Sequence, residues 1–371
     1  MLFQPPLPEK YADLTDSKMA ERIKAHKKAF GSRLVLLGHH YQQDQVIQFA
    51  DFTGDSLKLS QRATAQKEAQ YVVFCGVHFM AESADILAAD HVAVILPDLT
   101  AGCSMADMAD IEQAEEAWAR LARATKDTII PITYVNSTAD IKAFCGRNNG
   151  ACCTSSNARH ILEYALSQGH KVLFLPDQHL GRNTAYAMGY PLESMVVYDP
   201  HADDGGLTDQ QVRDAKFILW KGHCSVHQLF TEQHCDQIRA SDPDGKIIVH
   251  PECQWEVVQK SDLAGSTEYI IKTLAEAPIG SSWAVGTEIN LVNRLANLYA
   301  GKKKVRSLAG LQCLCTTMYR IDMPHLLWTL DELAAGRIVN QIKVDGTTKH
   351  DARIALQRML DNVSTTPMAA K

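Results

Sequence analysis

The chain has 371 residues, of which 46% are hydrophobic, and its formal net charge is −6. A chain of this length usually forms more than one hydrophobic core, so we expect two or three domains. The apolar content excludes a disordered protein. Because the net charge is negative and no long basic block occurs, nucleic acid is not an expected partner.

The N-terminal stretch MLFQPPLPEKYADLTDSK lacks the basic head and apolar segment of a signal peptide. The sequence also contains no run of about 18 apolar residues that could span a membrane. We therefore expect a cytoplasmic protein with no membrane partner. The ten cysteines would then lie in a reducing compartment, where thiols are more often buried, metal-bound or catalytic than disulfide-bonded.

Three apolar runs, taken in chain order, each end in polar or ring-bearing residues. They are RLVLLGHHY at 33–41, TIIPITYVN at 128–136 and KIIVHPE at 246–252. Such near-continuous apolar runs are typical of buried parallel strands, and we expect function at their carboxyl ends. A helical pattern follows each run: DQVIQFADF, TADIKAF and WEVVQKS.

Two further elements follow in each of these repeats. The second elements are VVFCGVHFMAES, ACCTSSNARHILEYAL and DLAGSTEYIIKTL, and the third are HVAVILPD, KVLFLPDQ and SWAVGTEI. Strand–helix alternation of this kind predicts α/β units with parallel sheets. We predict a first domain at 1–118 that is completed by 319–371, a second at 119–206 and a third at 207–318, with the C-terminal tail packed on the first domain.

A cysteine follows the third element of each repeat: Cys103, then Cys224, then either Cys313 or Cys315. Ligands of parallel α/β units gather beyond the carboxyl ends of the strands, so three units about one axis would direct three thiols at one cavity. Three thiolates suit a soft metal with one open position, either zinc with a bound water or an iron–sulfur cluster. The spacing does not separate these two. We interpret the other cysteines as non-ligands, with Cys75 a small buried hydrophobe.

A series of blocks in the chain resembles the quinolinate synthase family. The blocks are LGHHYQ, GDSLKLS, GVHFMAE, YVNSTADIK, CTSSNA, PDQHLGR, GHCSVHQ, VHPEC, GSTEYI, GTEINLV and CTTMYRID. The resemblance implies three similar three-layer α/β/α domains with parallel sheets, in a pseudo-threefold arrangement around a central active site that holds a [4Fe-4S] cluster. It implies condensation of iminoaspartate (iminosuccinate) with dihydroxyacetone phosphate to quinolinate, with loss of phosphate and water, in de novo NAD biosynthesis. An L-aspartate oxidase or dehydrogenase would supply the iminoaspartate.

The resemblance also implies roles for individual residues. The implied cluster ligands are Cys103, Cys224 and Cys315. The implied catalytic residues are His39, Tyr41 and Glu252. The implied substrate-binding residues are His39, Ser56, Tyr134, Asn136, Ser155, His250, Glu252, Ser266 and Thr267. The block CTTM selects Cys315 over Cys313, whereas Gln178 in PDQHLGR stands where family members often have a lysine.

The chemistry of the implied substrates agrees with these residue types. Two carboxylates and a phosphate need local donors on a negatively charged protein, and hydroxyls at helix starts lie beside N–H groups that bind anions. The alternative is that each hydroxyl only caps its helix. Glu252, beside His250 at a strand end, is a candidate proton shuttle. His39 and Tyr41 are two residues apart and should face one side, while His40 faces away. We interpret His223 and His227, which flank Cys224, as neighbours of the ligand.

Two other functions compete with this interpretation. A zinc-dependent lyase or hydrolase could use the same three cysteines, because three thiolates and a water satisfy zinc. A non-enzymatic iron–sulfur sensor would need an output surface, such as a DNA-binding helix with a basic face. The sequence contains no such helix, so catalysis is the favoured prediction.

Overall fold

The structure is a computed structural model that describes residues 4–65, 68–310 and 313–362. The described residues fall into two compact units. The first lies within Met1–Cys103 and Cys315–Asp345, and the second within Ser104–Leu314 and Gly346–Lys371. Within the described ranges, no helix has the length and apolar character needed to cross a membrane.

The first unit is built on one five-stranded sheet. Its strands are β1 (Leu34–His39), β2 (Phe52–Gly54), β3 (Tyr71–Cys75), β4 (Ala93–Ile95) and β14 (Gln341–Ile342), in the order β14-β4-β3-β1-β2. Its helices are α1 (Asp16–Phe30), α2 (Asp44–Ile47), α3 (Ser56–Ala65), α4 (His78–Leu87) and α14 (Met323–Ala334).

The second unit contains two sheets. The larger has the order β6-β5-β7-β9-β8, from β5 (Ile129–Tyr134), β6 (Ala151–Cys153), β7 (Lys171–Leu175), β8 (Met195–Tyr198) and β9 (Phe217–Trp220). The smaller has the order β11-β10-β12-β13, from β10 (Lys246–Val249), β11 (Leu263–Ala264), β12 (Ser282–Gly286) and β13 (Lys304–Ser307).

The first helix of the second unit precedes β5 and the last is C-terminal, while the others connect the strands. In chain order the helices are α5 (Ile111–Ala124), α6 (Ala139–Arg147), α7 (Ala158–Gln168), α8 (Gln178–Ala187), α9 (Asp209–Asp214), α10 (Glu232–Ser241), α11 (Trp255–Lys260), α12 (Thr267–Glu276), α13 (Ile289–Leu298) and α15 (Gly346–Asp361).

The three apolar runs form the leading strands β1, β5 and β10, as the sequence predicted. Every residue of β1 and β5 is buried, and β10 is buried from its second residue onward. Strands covered on both faces need apolar side chains throughout, which explains their lack of alternation. Among the described strands, each pairing is parallel except that of β14 with β4. The predicted α/β fold with parallel sheets is therefore confirmed.

The three sheets share one strand order, in which a short second strand, the leading strand, a third and a fourth lie side by side. The equivalent sets are β2-β1-β3-β4, β6-β5-β7-β9 and β11-β10-β12-β13. The predicted alignment of the first repeat was wrong, because VVFCGVHFMAES contains β3, which corresponds to β7 and β12. The second element of that repeat is β2 with α3, in DFTGDSLKLS. A three-residue edge strand carries too few residues for a periodic pattern, so it was missed.

The sheet order also corrects the position of the candidate cysteines. They follow the fourth strand of each sheet, so Cys103 comes after β4, Cys224 after β9, and Cys313 and Cys315 after β13. The predicted position after the third element was therefore wrong for the second and third repeats, whose third strands are β7 and β12.

The C-terminal segment divides between the two units. Strand β14 pairs antiparallel with β4, and α14 packs on α1. The last helix, α15, packs against α6 and β6 of the second unit, whereas the sequence had predicted that the whole tail packs on the first domain. Gly146 on α6 permits this contact, because a Cβ atom there would lie 2.0 Å from the carbonyl oxygen of Asp351. The domain limits at 118, 206 and 318 remain predictions.

Candidate active site

The strand register puts the predicted site residues at equivalent places in the three sheets. In each sheet the end of the leading strand pairs with the end of the short second strand. These pairs are His39 with Gly54, Tyr134 with Cys153, and Val249 with Ala264. Both strands of a parallel pair end at the same edge of the sheet. The polar residues after the leading strand therefore lie near the start of the helix that follows the short second strand. Each sheet therefore carries its candidate residues at its carboxyl edge.

Glu252 is the centre of a buried polar cluster in the second unit. It is 4% exposed, and its Oε2 lies 2.7 Å from His227 Nδ1 and 3.8 Å from His250 Nδ1. The side chain of Tyr134 also hydrogen-bonds to Glu252. Burial raises the pKa of Glu252, but the neighbouring His250 and His227 and the hydrogen bonds outweigh burial and hold the pKa well below its usual range. The carboxylate is therefore ionised at neutral pH.

His250 links this cluster to Ser155. Its Nε2 lies 3.1 Å from Ser155 Oγ, and its Nδ1 accepts a hydrogen bond of 3.3 Å from the backbone N–H of Glu252. Burial lowers the pKa of His250 to about 3, so the ring is neutral at pH 7. Since Nδ1 is an acceptor, we assign the ring proton to Nε2, which donates to Ser155. Four predicted site residues thus belong to one connected cluster: Tyr134, Ser155, His250 and Glu252.

Asn183 on α8 holds the loop that carries Glu252. Its Nδ2 donates to the carbonyl oxygens of Pro251 and Cys253, both at 2.8 Å, so the loop is fixed on either side of Glu252. The sequence interpretation missed Asn183. One feature could have pointed to Asn183. It lies on the same helix as Leu180 and Thr184, which are buried, and a buried amide needs hydrogen-bond partners.

The helix-start hydroxyls differ in what they do. Ser266 caps α12 by accepting a hydrogen bond of 3.3 Å from Tyr269 N–H, so the capping alternative describes it well. At the start of α3, by contrast, the side chain of Asp55 accepts from Lys58 N–H at 2.9 Å and takes the capping role beside Ser56. Thr267 is the buried first residue of α12.

Asn136 contributes an unused acceptor. Among the buried side-chain atoms of the described ranges, Asn136 Oδ1 is one that has no hydrogen-bond partner in the protein. A buried amide oxygen without a partner is unfavourable, and a bound molecule with an N–H or O–H group would satisfy it. This property agrees with the substrate-binding role predicted for Asn136.

The first unit brings His39 and Tyr41 together. The backbone N–H of Tyr41 donates to His39 Nδ1 at 3.1 Å, and the two rings meet edge to face with 4.7 Å between centroids. The ring of His40 is farther away, at 6.4 Å from that of His39. His39 is buried, while Tyr41 is partly exposed. An imidazole and a phenol therefore lie side by side at the end of β1.

Accessibility separates the candidate ligand cysteines from the others. All ten cysteines lie in described residues and are free thiols, and the three that are partly exposed are Cys103, Cys224 and Cys315. Burial raises the pKa of Cys313 to about 11 and that of Cys75 and Cys152 to about 12. Because the thiolate is the metal ligand, buried thiols of raised pKa are poor candidates. Each of the three partly exposed thiols is thus chemically suited to bind a metal. Cys103 and Cys315 belong to the first unit and Cys224 to the second.

Cys224 also lies near the Glu252 cluster. One ligand atom each from Cys224, His227 and Glu252 lie within 4.8 Å of one another, so a sulfur, a nitrogen and an oxygen donor are grouped. The 2.7 Å between His227 Nδ1 and Glu252 Oε2 is a hydrogen-bonding distance. Two ligands of a tetrahedral zinc would lie about 3.3 Å apart, given bonds of about 2.0 Å, so we interpret the pair as a direct contact between imidazole and carboxylate.

The fold and these clusters define an α/β enzyme, with buried acid–base groups and accessible thiols at the carboxyl edges of parallel sheets. The family model NadA, described as quinolinate synthetase A protein, matches residues 21–361. The chain belongs to this family, as the sequence blocks indicated, and is an enzyme of condensation and dehydration in NAD biosynthesis.

Proteins named quinolinate synthase are similar over nearly the whole chain. The one from Halalkalibacterium halodurans is 58% identical over 355 residues, which is 96% of each chain. The one from Geobacillus sp. (strain WCH70) is 57% identical over 354 residues, 95% of this chain and 96% of the relative. The one from Acidobacterium capsulatum is 58% identical over 354 residues, 95% of each.

Proposed function

We propose that the protein is a cytoplasmic quinolinate synthase that condenses iminoaspartate with dihydroxyacetone phosphate and releases phosphate and water. The observation that carries this proposal is the buried cluster of Glu252, His250, Tyr134 and Ser155. These residues come from separate motifs of one family and are hydrogen-bonded to one another. The similarity to named quinolinate synthases over nearly the full chain supports the same reaction.

Glu252 and His250 would manage the protons of the reaction. Condensation begins with removal of a proton from carbon, and ring closure and dehydration need protons delivered to leaving oxygens. Glu252 is ionised and nearly dry, so it is able to accept a proton. The phenol of Tyr134 is a donor next to Glu252, and the neutral His250 presents its N–H to Ser155. His39 and Tyr41 would present a second imidazole and phenol to the substrate.

Local donors would bind the anionic groups of the substrates. The implied substrates carry two carboxylates and one phosphate, whereas the protein has a net charge of −6. We assign this binding to Ser56, Ser155 and Thr267, near the N-terminal ends of α3, α7 and α12, where N–H groups attract anions. Ser266 would place Thr267 by capping α12, and Asn136 Oδ1 would accept a hydrogen bond from the substrate.

Cys103, Cys224 and Cys315 would hold a [4Fe-4S] cluster. Their accessibility and the burial of Cys313 support this ligand set. When bound, the cluster would supply a Lewis acid at its open iron for the final dehydration. An L-aspartate oxidase or dehydrogenase would supply the iminoaspartate, which is the chemistry needed upstream.

Anaerobic purification with iron and sulfide counts, followed by an assay for quinolinate, tests the proposal. We expect brown protein that makes quinolinate from the two substrates. Serine replacement of Cys103, Cys224 or Cys315 should abolish the cluster, because each removes one of three thiolates. Cys313→Ser is the matched control and should keep both cluster and activity. A Cys315→Ser protein that retains its cluster would overturn this ligand set.

A zinc-dependent lyase or hydrolase on the same three cysteines is the second candidate, because three thiolates and a water satisfy zinc. Metal analysis separates the two functions. A colourless, zinc-loaded protein that turns over without iron would favour zinc, and iron with matching sulfide would exclude it.

A further inference from the structure

We propose that His227 is a positioning residue for Glu252, and that Thr287 holds His227 in place. This inference rests on the proposed function, because it deepens the role of Glu252 in that reaction. From the sequence, His227 was a neighbour of Cys224 with no assigned partner. The structure assigns it a place between a strand end of the smaller sheet of the second unit and the buried carboxylate.

Both nitrogens of the His227 ring face polar atoms. The Nδ1 atom lies 2.7 Å from Glu252 Oε2, and Nε2 lies 3.2 Å from Thr287 Oγ1. The side chain of His227 is 1% exposed and Thr287 is fully buried, so water cannot substitute for either partner. A buried imidazole with a partner at each nitrogen has one preferred orientation, and that orientation fixes where Glu252 Oε2 lies.

The faces of the ring are also occupied. The His227 ring stacks on His250, with 4.6 Å between centroids and 27° between planes. Phe230 lies on another side, with its centroid at 6.4 Å. Rotation of His227 would therefore disturb His250, which itself contacts Ser155 and the backbone of Glu252. The two histidines act as one rigid support for the carboxylate.

Thr287 gives this support a rigid base. It directly follows β12, a strand whose last four residues are buried, and precedes Glu288, whose side chain caps α13 by accepting from two backbone N–H groups. A side chain on such a turn between strand and helix cannot move far without disrupting both. Because an error of about 1 Å in the placement of a catalytic group can reduce the rate about 100-fold, we expect this chain of contacts to affect turnover.

Steady-state kinetics of three variants test the inference. His227→Ala removes both contacts and should lower kcat about 100-fold, while KM changes less than about threefold, since the substitution removes no group assigned to binding the substrate anions. His227→Asn places an amide N–H where Nδ1 was. Its kcat should therefore be about tenfold higher than that of His227→Ala. Thr287→Val removes one hydroxyl at nearly constant volume and should lower kcat about tenfold. Iron content should match the wild type in all three variants.

His179→Asn is the matched control. His179 is another buried histidine of the second unit, and its ring nitrogens contact Gln228 and Arg182. Its loss should leave kcat within about twofold of wild type, because it supports no catalytic group.

The inference is overturned if His227→Ala turns over like wild type, if His227→Asn is no better than His227→Ala, or if activity falls only in proportion to lost iron. If His227→Ala does not fold, His227→Asn and Thr287→Val still decide. A wild-type protein that makes no quinolinate would instead refute the proposed function.

Discussion

Glu252 is a buried carboxylate that stays ionised because its neighbours stabilise the charge. Removing a carboxylate from water is unfavourable unless hydrogen bonds and opposite charges compensate. Tyr134, His227 and His250 surround Glu252, and together they more than offset burial. The identity of these neighbours matters more than the burial itself, since the same burial makes the nearby thiol of Cys253 harder to ionise and raises its pKa.

His179 shows the opposite effect, because it lacks a carboxylate partner. Burial, with a smaller contribution from Arg182, lowers the pKa of His179 to about 4. In the unfolded chain its pKa is about 6.5, so between these values the unfolded state binds more protons than the folded state. Stability therefore falls as the pH drops below about 6.5.

We predict that His179→Asn reduces this loss of stability in acid. Between pH 7 and pH 5 the wild type should lose about 2 kcal/mol more unfolding free energy than the variant, given the two pKa values. Urea unfolding of both proteins at the two pH values measures the difference. Equal losses in the two proteins would contradict the neutral state assigned to His179.

At the scale of elements, α15 is held against α6 by close backbone approach. Gly146 lies within α6, where its missing side chain leaves room for the backbone of α15 at Asp351. Arg358 of α15 donates to the carbonyl oxygen of Gly150 at 2.6 Å, and Asn157 donates to that of Met359 at 3.3 Å. Helix α15 is thus fixed along its length by contacts with backbone atoms.

We predict that Gly146→Ala destabilises the protein by about 3 kcal/mol, because the new methyl would overlap a carbonyl that cannot move without shifting a helix. The matched control is Gly346→Ala at the start of α15, where a Cβ atom would meet nothing within 4 Å. The control should be neutral or slightly stabilising. Thermal unfolding of the two variants measures this, and equal melting temperatures would show that the contact with α6 is loose.

At the scale of the whole molecule, the chain returns late to complete its first unit. Asp331 on α14 binds three groups from the start of the chain: Tyr11 Oη at 2.7 Å, Arg22 Nη2 at 2.6 Å and His26 Nε2 at 2.7 Å. Burial raises the pKa of Asp331, but these partners hold it below its usual range. The stability it contributes is therefore present above the unfolded pKa of about 3.9 and is lost as the pH falls below that value.

We predict that Asp331→Asn lowers the free energy of unfolding by about 2 kcal/mol, mostly through the buried Tyr11, since the exposed Arg22 contributes little. Glu332→Gln is the adjacent control, because Glu332 pairs with the exposed Arg337. That variant should change stability by less than about 0.5 kcal/mol. A loss in Glu332→Gln as large as in Asp331→Asn would indicate a general effect of charge on α14.

The sequence by itself determined the leading strands, the parallel α/β fold, the family and the residue types of the site. These are local properties: an apolar run such as that of β1 must be buried whatever follows, and a motif carries its chemistry within a few residues. The candidate thiols and Glu252 could be selected on that basis. The three-residue β2 could not, because it is a strand only through its neighbours.

Only the tertiary structure decided which side chains meet. The contact of His227 with Glu252 joins residues that follow different strands, and the clamp of Asn183 on Pro251 crosses between two sheets. No sequence pattern predicts either contact, because both contacts depend on strand order and on the path of each loop. The same holds for Cys313 and Cys315, two residues apart, of which one is buried and the other accessible. Burial is set by what packs around a residue, and packing partners are distant in the chain.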